Sequence, residues 1–302
     1  MIVYNNLKIK HKYKNSAIAI GNFDGLHLGH KKVLNQCRII AKKNKIKFGL
    51  LTFEPVPVLF FNPKIKNHKI NSIEQKKFFL NKLNLDFLMI IKFNKLFSNL
   101  SSESFIKKLL YKKINCKYIF VSKNFKFGKG RLGNIKTLKK FEKKYLYKTV
   151  VINPFKRNKK LISSSIIRKK ITEGKVVDVQ KLLGRPWSIQ GIVIKGNQRG
   201  RKIGFPTCNI SLADYIIPKL GVYSVEVETK FFKRKGIANI GYRPTFRGKK
   251  LLLEVNIFGI NSNLYKKTIK VNFIKFIRKE KKFKGVSQLK EQIKKDIAIA
   301  KK

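Results

Sequence analysis

Residues 21–30, Gly21-Asn22-Phe23-Asp24-Gly25-Leu26-His27-Leu28-Gly29-His30, restrict the fold more than any other stretch of this 302-residue chain. The apolar run Ala17–Ile20 precedes it, and Val33, Leu34, Cys37, Ile40 and Ala41 follow at helical spacing. The pattern predicts a buried strand, a glycine-rich turn and a helix that starts from the turn. The first N–H groups of a helix lack partners within it, and the helix dipole adds positive potential, so such a turn collects anions. Gly25 and Gly29 let a ligand approach the backbone closely. His27 and His30 fall on one face beside that anion site. Two imidazoles there can donate hydrogen bonds to a phosphate that gains charge in a transition state. That suits phosphoryl or nucleotidyl transfer without a covalent enzyme intermediate. Two surface histidines in a loop are the plain alternative, and a zinc pair is a third reading for which further nearby ligands are missing.

Downstream, strand and helix patterns alternate. Phe48–Phe53, Phe87–Ile91, Tyr118–Val121 and Val150–Ile152 read as buried strands. Ser72-Ile73-Glu74-Gln75 has a capping-box pattern and opens a helix through Leu83. Helices also follow from Phe105, Ile106, Leu109 and Leu110, and from Leu138, Phe141 and Tyr145. Alternation of this kind predicts a parallel sheet with crossover helices, whose ligands bind beyond the carboxyl ends of the strands. Phe53 runs into Glu54-Pro55 at that edge. The loop Ser122–Arg131, containing Asn124 and Gly128, lies there too, as does Ile162–Arg168. In the latter a serine can cap a helix, and Arg168 follows Ser164 and Ser165 closely enough to share their face and bind phosphate oxygens. An ordinary serine cap with a surface arginine is the alternative.

The early His-x-Gly-His and the late Ser-Ser-Ser-x-x-Arg, on a strand–turn–helix frame, resemble the nucleotidylyltransferase superfamily. By that resemblance the pair brackets ATP.

Beyond Leu182–Trp187 the pattern changes. Ile189–Ile194, Val222–Val227, Ile237–Ile240, Leu251–Ile257 and Ile269–Phe276 are strand-like with almost no helix between them, which predicts a small antiparallel barrel or sandwich. A final helix carries Leu289, Ile293, Ile297 and Ala300 on one stripe, expected to pack on that sheet. Gly196-Asn197-Gln198-Arg199-Gly200-Arg201-Lys202-Ile203-Gly204-Phe205-Pro206-Thr207-Cys208-Asn209 is a second phosphate-suited stretch. Thr207 and Asn209 offer neutral oxygens of the kind Mg²⁺ takes. Glu254, one of only 15 acids, sits inside a strand and can accept a proton from an attacking hydroxyl. Its alternative is a strand glutamate facing a lysine.

Together the halves resemble the prokaryotic bifunctional riboflavin kinase and FMN adenylyltransferase (FAD synthetase) family. The resemblance is carried by Gly21–His30, Phe53-Glu54-Pro55, Asn124–Gly128, Ile162–Arg168, Leu183–Pro186, Gly204–Asn209, Gly221-Val222-Tyr223, Ala238–Gly241, Arg243-Pro244-Thr245-Phe246, Leu253-Glu254-Val255 and Arg278-Lys279-Glu280 with Phe283. It implies α/β plus all-β architecture. A Rossmann-like nucleotidylyltransferase domain would span 1–184, and a small antiparallel β-barrel with a terminal helix would span 185–302. The second domain would move the ATP γ-phosphoryl group to riboflavin, with Glu254 as base and Thr207 and Asn209 holding Mg²⁺–ATP. The first would add AMP from a second ATP to FMN, releasing pyrophosphate. Gly21, Asn22, Phe23, Asp24, Gly25, His27, His30, Asn124, Ser164, Ser165 and Arg168 would bind that nucleotide, and Gly196, Arg201 and Gly204 the one in the barrel. Flavins are then substrate and product rather than cofactor. Departures from the family pattern are Asn124 and Asn134 for acids, Ser165 for threonine, Gly259-Ile260 for an Asp-Phe pair, and Lys266 for a glycine. The kinase-half departures leave open a chain with one surviving activity.

The net charge of +56 raises a rival, a nucleic-acid-binding protein. Lysines are spread over every predicted element, and Asn and Phe are inflated with them, which favours compositional drift toward AT-rich codons. No nucleic-acid-binding signature is present, so no specific nucleic-acid partner is expected. The scattered Cys37, Cys116 and Cys208 argue for a reducing compartment. No apolar run is long enough for a membrane span, and the N-terminus is too polar for a signal peptide. The expectation is a cytoplasmic protein.

Overall fold

The computed structural model describes residues 1–157, 160–196, 198–245, 248–260 and 262–302, with residues 199, 243–245 and 248–250 described by backbone alone. Asn197 and Phe246 of the motifs above lie outside the described residues. The chain forms two compact units: residues 1–66 with 76–163, and residues 67–75 with 164–302.

The first unit is built on a six-stranded parallel sheet. Its strands are β1 (Ile2–Tyr4), β2 (Ala17–Ile20), β3 (Phe48–Glu54), β4 (Phe87–Lys92), β5 (Tyr118–Ser122) and β6 (Lys148–Ile152), in the order β1-β4-β3-β2-β5-β6. All four residues of β2 are buried, and so are the first six of β3. A parallel sheet covered on both faces demands such unbroken apolar strands. The helix Leu28–Lys43 buries Val33, Leu34, Cys37 and Ala41, as its spacing predicts. The segment Phe105–Ile114 is helical as expected but wound as a π-helix, and its buried residues Phe105, Leu109, Leu110 and Ile114 follow that wider period. A short ribbon, β7 (Lys156–Arg157) with β8 (Lys160–Leu161), follows β6. The edge strand β1 has no counterpart in the sequence reading.

The chain leaves β2 for β3 on one side and later places β5 on the other. The carboxyl end of β2 is therefore the topological switch point, where open α/β sheets bind their ligands. Residues 21–30 begin there.

The second unit is a closed antiparallel barrel. Its strands are β9 (Trp187–Ile194), β10 (Cys208–Ser211), β11 (Gly221–Glu228), β12 (Lys233–Thr245), β13 (Gly248–Ile257) and β14 (Thr268–Arg278), in the order β10-β13-β12-β11-β14-β9. On β11, Tyr223, Val225 and Val227 point into the core while Ser224, Glu226 and Glu228 are half-buried outside. Val222 breaks the alternation because the terminal helix Val286–Lys301 covers it. Ile293, Ile297 and Ala300 of that helix pack on Val222 and Ile237. The helix is also pinned by Asp296, 1% exposed, whose carboxylate accepts three hydrogen bonds from the Arg278 guanidinium at 2.7–3.1 Å.

The change of pattern at 184/185 falls within the second unit. The helix Val176–Leu183 buries Val176, Val179 and Leu183 and packs on β9 and β14. The segment 67–75 is tied in by polar bonds: the Trp187 indole donates to the Ile70 carbonyl at 2.9 Å, and the Gln75 amide donates to the Ser188 hydroxyl at 3.0 Å.

Candidate active sites

The turn after β2 is wound tightly. Phe23, Gly25 and Leu26 all adopt positive φ, 47°, 85° and 43°. Two non-glycine residues in that region are costly and mark a turn that its surroundings over-determine. His27 caps the helix Leu28–Lys43: its Nδ1 accepts from the His30 N–H at 3.2 Å. An accepting Nδ1 carries no proton, so in the neutral ring the proton is on Nε2, which is a donor. The two imidazoles stack with centroids 3.6 Å and planes 17° apart, and the Phe23 ring centroid lies 5.0 Å from that of His30. Gly29 eases this packing, since a Cβ there would stand a tight 3.1 Å from the His27 ring. The sequence therefore placed His27 and His30 correctly on one face, and the structure adds that they are in ring contact.

Beneath the turn, the Asn22 carbonyl accepts from the Thr52 hydroxyl at 3.1 Å and from the Lys76 ammonium at 2.9 Å. Both donors are buried. Neither was legible as a site residue. Asn124 is exposed just beyond β5, on the same carboxyl edge as Gly21. Ser164, Ser165 and Arg168 open the helix Ser164–Thr172, which is counted with the second unit. There Arg168 Nε donates to the His68 carbonyl at 2.9 Å.

The barrel site is a row of residues across neighbouring strands. Asn209 of β10 pairs with Glu254 of β13, Glu254 with Asn239 of β12, Asn239 with Val222, and Val222 with Arg278. Directly paired residues point to the same side of a sheet. Their neighbours Ile210, Leu253 and Ile240 fill the core, so the row lies on the outer face. The terminal helix covers its Val222 end, and Gly196 lies against Asn209 at the other. A Cβ on Gly200 would overlap the Phe205 carbonyl, so the backbone closes down there only with glycine, and a Cβ on Gly196 would displace the Asn209 amide. The Asn256 amide fastens the loop to β13 through the Pro206 carbonyl at 2.7 Å. Asn239 also donates to Glu280 at 3.3 Å. Asn209 belongs to a strand, β10, that the sequence reading had merged into the loop, because it is only four residues long.

Asn209 Oδ1 is buried and receives no hydrogen bond from any described residue. A bare buried acceptor is costly unless something else satisfies it. Thr207, two residues away, is exposed. Between them burial pushes the Cys208 thiol up, so it stays a neutral thiol rather than a thiolate ligand. Among the described residues no group of three or more His, Cys, Asp or Glu gathers to hold a metal. The donor set fits a hard cation that arrives with phosphate oxygens and water, not one caged by protein. Arg201 is exposed on the short helix Arg199–Lys202, and Gly204 adopts φ 89°. Of the departures, Gly259 takes φ 70° in the turn after β13 and Lys266 takes φ 61° in the turn before β14.

A family model described as FAD synthetase matches residues 9–166, and one described as riboflavin kinase matches residues 183–302. A bifunctional riboflavin kinase/FMN adenylyltransferase of Buchnera aphidicola subsp. Schizaphis graminum is 46% identical over 95% of this chain and 94% of its own. This chain belongs to the bifunctional riboflavin kinase/FMN adenylyltransferase family. The family member of Bacillus subtilis is 39% identical over 95% of this chain and 92% of its own. A crystal structure described as a macrolide-efflux protein from Streptococcus pneumoniae is 30% identical, with a TM-score of 0.88 over 99% of this chain and 98% of that one. The family's two-part order, FAD synthetase before riboflavin kinase, is the order of the two sites here: His27 and His30 fall in the first matched segment, Thr207, Asn209 and Glu254 in the second. Among the described residues no helix is long and apolar enough to cross a membrane.

Proposed function

We propose that the chain makes FMN and then FAD, with residues 185–302 phosphorylating riboflavin and residues 1–184 adenylylating FMN. The observation that carries this reading is that the stacked His27 and His30 fall in the first matched segment and the Thr207, Asn209 and Glu254 set in the second.

In the barrel, Thr207 and Asn209 would hold Mg²⁺ with ATP, Asn209 through its bare Oδ1. The ion, when bound, offsets the charge of the phosphates. The loop glycines Gly196 and Gly204 and the cation Arg201 wrap the phosphate chain. Glu254 takes the proton of the riboflavin 5′-hydroxyl as its oxygen bonds to the γ-phosphorus; the bond to the β,γ-bridging oxygen breaks and ADP leaves. Asn209 and Asn239 on either side hold the Glu254 strand in register.

In the first domain a phosphate oxygen of FMN bonds to the α-phosphorus of a second ATP, and pyrophosphate leaves. His27 Nε2–H and the His30 ring face the phosphates and stabilise the charge that gathers in the transition state. The amides of Gly21–Gly25 receive the polyphosphate. Asn124, Ser164, Ser165 and Arg168 complete the nucleotide contacts in this reading. ATP, riboflavin and FMN are the only partners it needs. The +56 charge raises the local concentration of such anions without a specific nucleic-acid partner, and the compartment is the cytoplasm.

Two variants test the division. His30→Ala should stop FAD formation while FMN accumulates, and Glu254→Ala should stop FMN formation while supplied FMN is still converted. Either variant leaving both steps untouched would overturn the site assignment.

A further inference from the structure

Lys76 is 3% exposed in the helix Ile73–Asn81, in the first unit. Few lysines are buried so deeply, because taking an ammonium out of water is costly unless its surroundings repay it. Its Nζ donates at 2.9 Å to the backbone carbonyl of Asn22. The hydroxyl of Thr52, itself fully buried near the end of β3, donates to the same oxygen at 3.1 Å. Two buried donors on one backbone carbonyl are an unusual concentration of effort on a single peptide group.

That peptide group leads into the positive-φ residue Phe23, whose ring faces His30. In a trans peptide the carbonyl and the following N–H point in opposite directions. Holding the Asn22 carbonyl on Lys76 and Thr52 therefore turns the Phe23 N–H to the opposite side of the turn. The same hold fixes where the turn begins, and so where His27 and His30 end up.

We propose that Lys76 is a positioning residue for adenylyl transfer: through the Asn22 carbonyl it sets the turn that receives the ATP phosphates, with Thr52 as a second anchor on the same oxygen. The proposal rests on the reading of residues 21–30 as the ATP site of that step.

The test is steady-state adenylylation of supplied FMN by the full chain, with ATP and FMN varied separately. The variants are Lys76→Met, Thr52→Val, the two combined, and His30→Ala. Lys76→Met should lower kcat/KM for ATP at least about tenfold, the scale of losing one support behind a binding group, and leave KM for FMN within about twofold. A general loosening of the domain would raise both constants. Riboflavin phosphorylation by the same preparations should be unchanged. Thr52→Val should show a smaller loss of the same kind, and the double variant should be no worse than Lys76→Met alone, because both side chains act on one carbonyl. If Lys76→Met does not fold, Thr52→Val decides: a loss confined to ATP supports the proposal, and an unchanged kcat/KM for ATP overturns it. His30→Ala inactive with Lys76→Met unchanged overturns the proposal alone. His30→Ala at full activity overturns the site reading, and the proposal with it.

Discussion

Asn209 and Glu254 stand directly opposite each other across β10 and β13, on the outer face of the barrel. The glycine-rich segment that leads into Asn209 is thus built onto the same strand pair as the Glu254 carboxylate. The Asn256 amide, two residues along β13, bonds the loop again at Pro206. Loop position and carboxylate position are set by one ladder of backbone hydrogen bonds, which is stiffer than side-chain contacts between separate loops.

Asn209→Leu removes the bare acceptor while keeping the branched shape of the side chain. FMN formation should need at least about tenfold more Mg²⁺ for half-maximal rate, the scale of disturbing a metal site's supports. Conversion of supplied FMN to FAD should be unaffected. A magnesium titration of riboflavin phosphorylation is the measurement, and an unshifted midpoint would count against Asn209 as a ligand.

Gly196→Ala and Gly200→Ala each put a methyl group where the Asn209 amide or the Phe205 carbonyl now lies. In Gly200→Ala the loop must lift, and in Gly196→Ala the Asn209 amide must leave its place. The expected result is lost phosphorylation of riboflavin with FMN adenylylation intact, read by following each step separately. Gly259→Ala is a contrast, since a Cβ there meets nothing within 4 Å. Its φ of 70° makes the change a matter of local strain, so stability rather than catalysis should move.

Asp296→Ala strands the Arg278 guanidinium, whose side chain is only 16% exposed. Breaking a buried pair from one side costs about 3–5 kcal/mol. Denaturant unfolding of the barrel should show a loss of that order, together with release of the terminal helix from Val222 and Ile237. A change below about 1 kcal/mol, the scale of a surface pair, would mean the pair contributes little.

Much of the fold was legible because its signals are local. The run Ala17–Ile20, the glycines at 21 and 25, and the apolar spacing from Val33 to Ala41 together specify strand, turn and helix within about one βαβ unit. Ser72 and Gln75 form the expected capping box, each side chain bonding the other's N–H at 3.2 Å. What was hidden depends on distance along the chain. The Gln75 amide also reaches Ser188, and the Trp187 indole reaches Ile70, so residues 67–75 join the barrel through contacts that no periodicity encodes. The strand β10 was hidden by its length. Lys76 was hidden by composition: among 71 basic residues, nothing in the sequence marks one as buried.

Lys266→Gly should stabilise the barrel. Lys266 holds φ at 61°, which costs an L-residue about 1–2 kcal/mol. Glycine gives back part of that in unfolded-state entropy, leaving a net gain of about 0.5–1 kcal/mol. Thermal unfolding of the variant should move up by a few degrees, and a lower midpoint would show that the lysine is held by contacts that outweigh its strain.

The pair Lys170–Asp178, 2.6 Å apart, holds the Asp178 carboxyl below its ordinary value, chiefly through the hydrogen bond from Lys170. A carboxylate depressed in the folded state contributes stability that is present above its unfolded pKa of about 4 and lost as pH falls through the lower folded value. Both side chains are partly exposed, so the contribution is about 0.2–1 kcal/mol. Lys170→Met should therefore be slightly less stable than the native chain at pH 7, with the two converging below pH 4. A constant difference at all pH values would assign the effect to packing.

The most direct measurement is a time course of the purified chain with riboflavin, ATP and Mg²⁺, with riboflavin, FMN and FAD separated by chromatography and read by fluorescence. FMN should rise first and FAD should follow at its expense, with ADP and pyrophosphate as the co-products. No FMN from riboflavin and no FAD from supplied FMN, by a chain shown to be folded, would contradict the account.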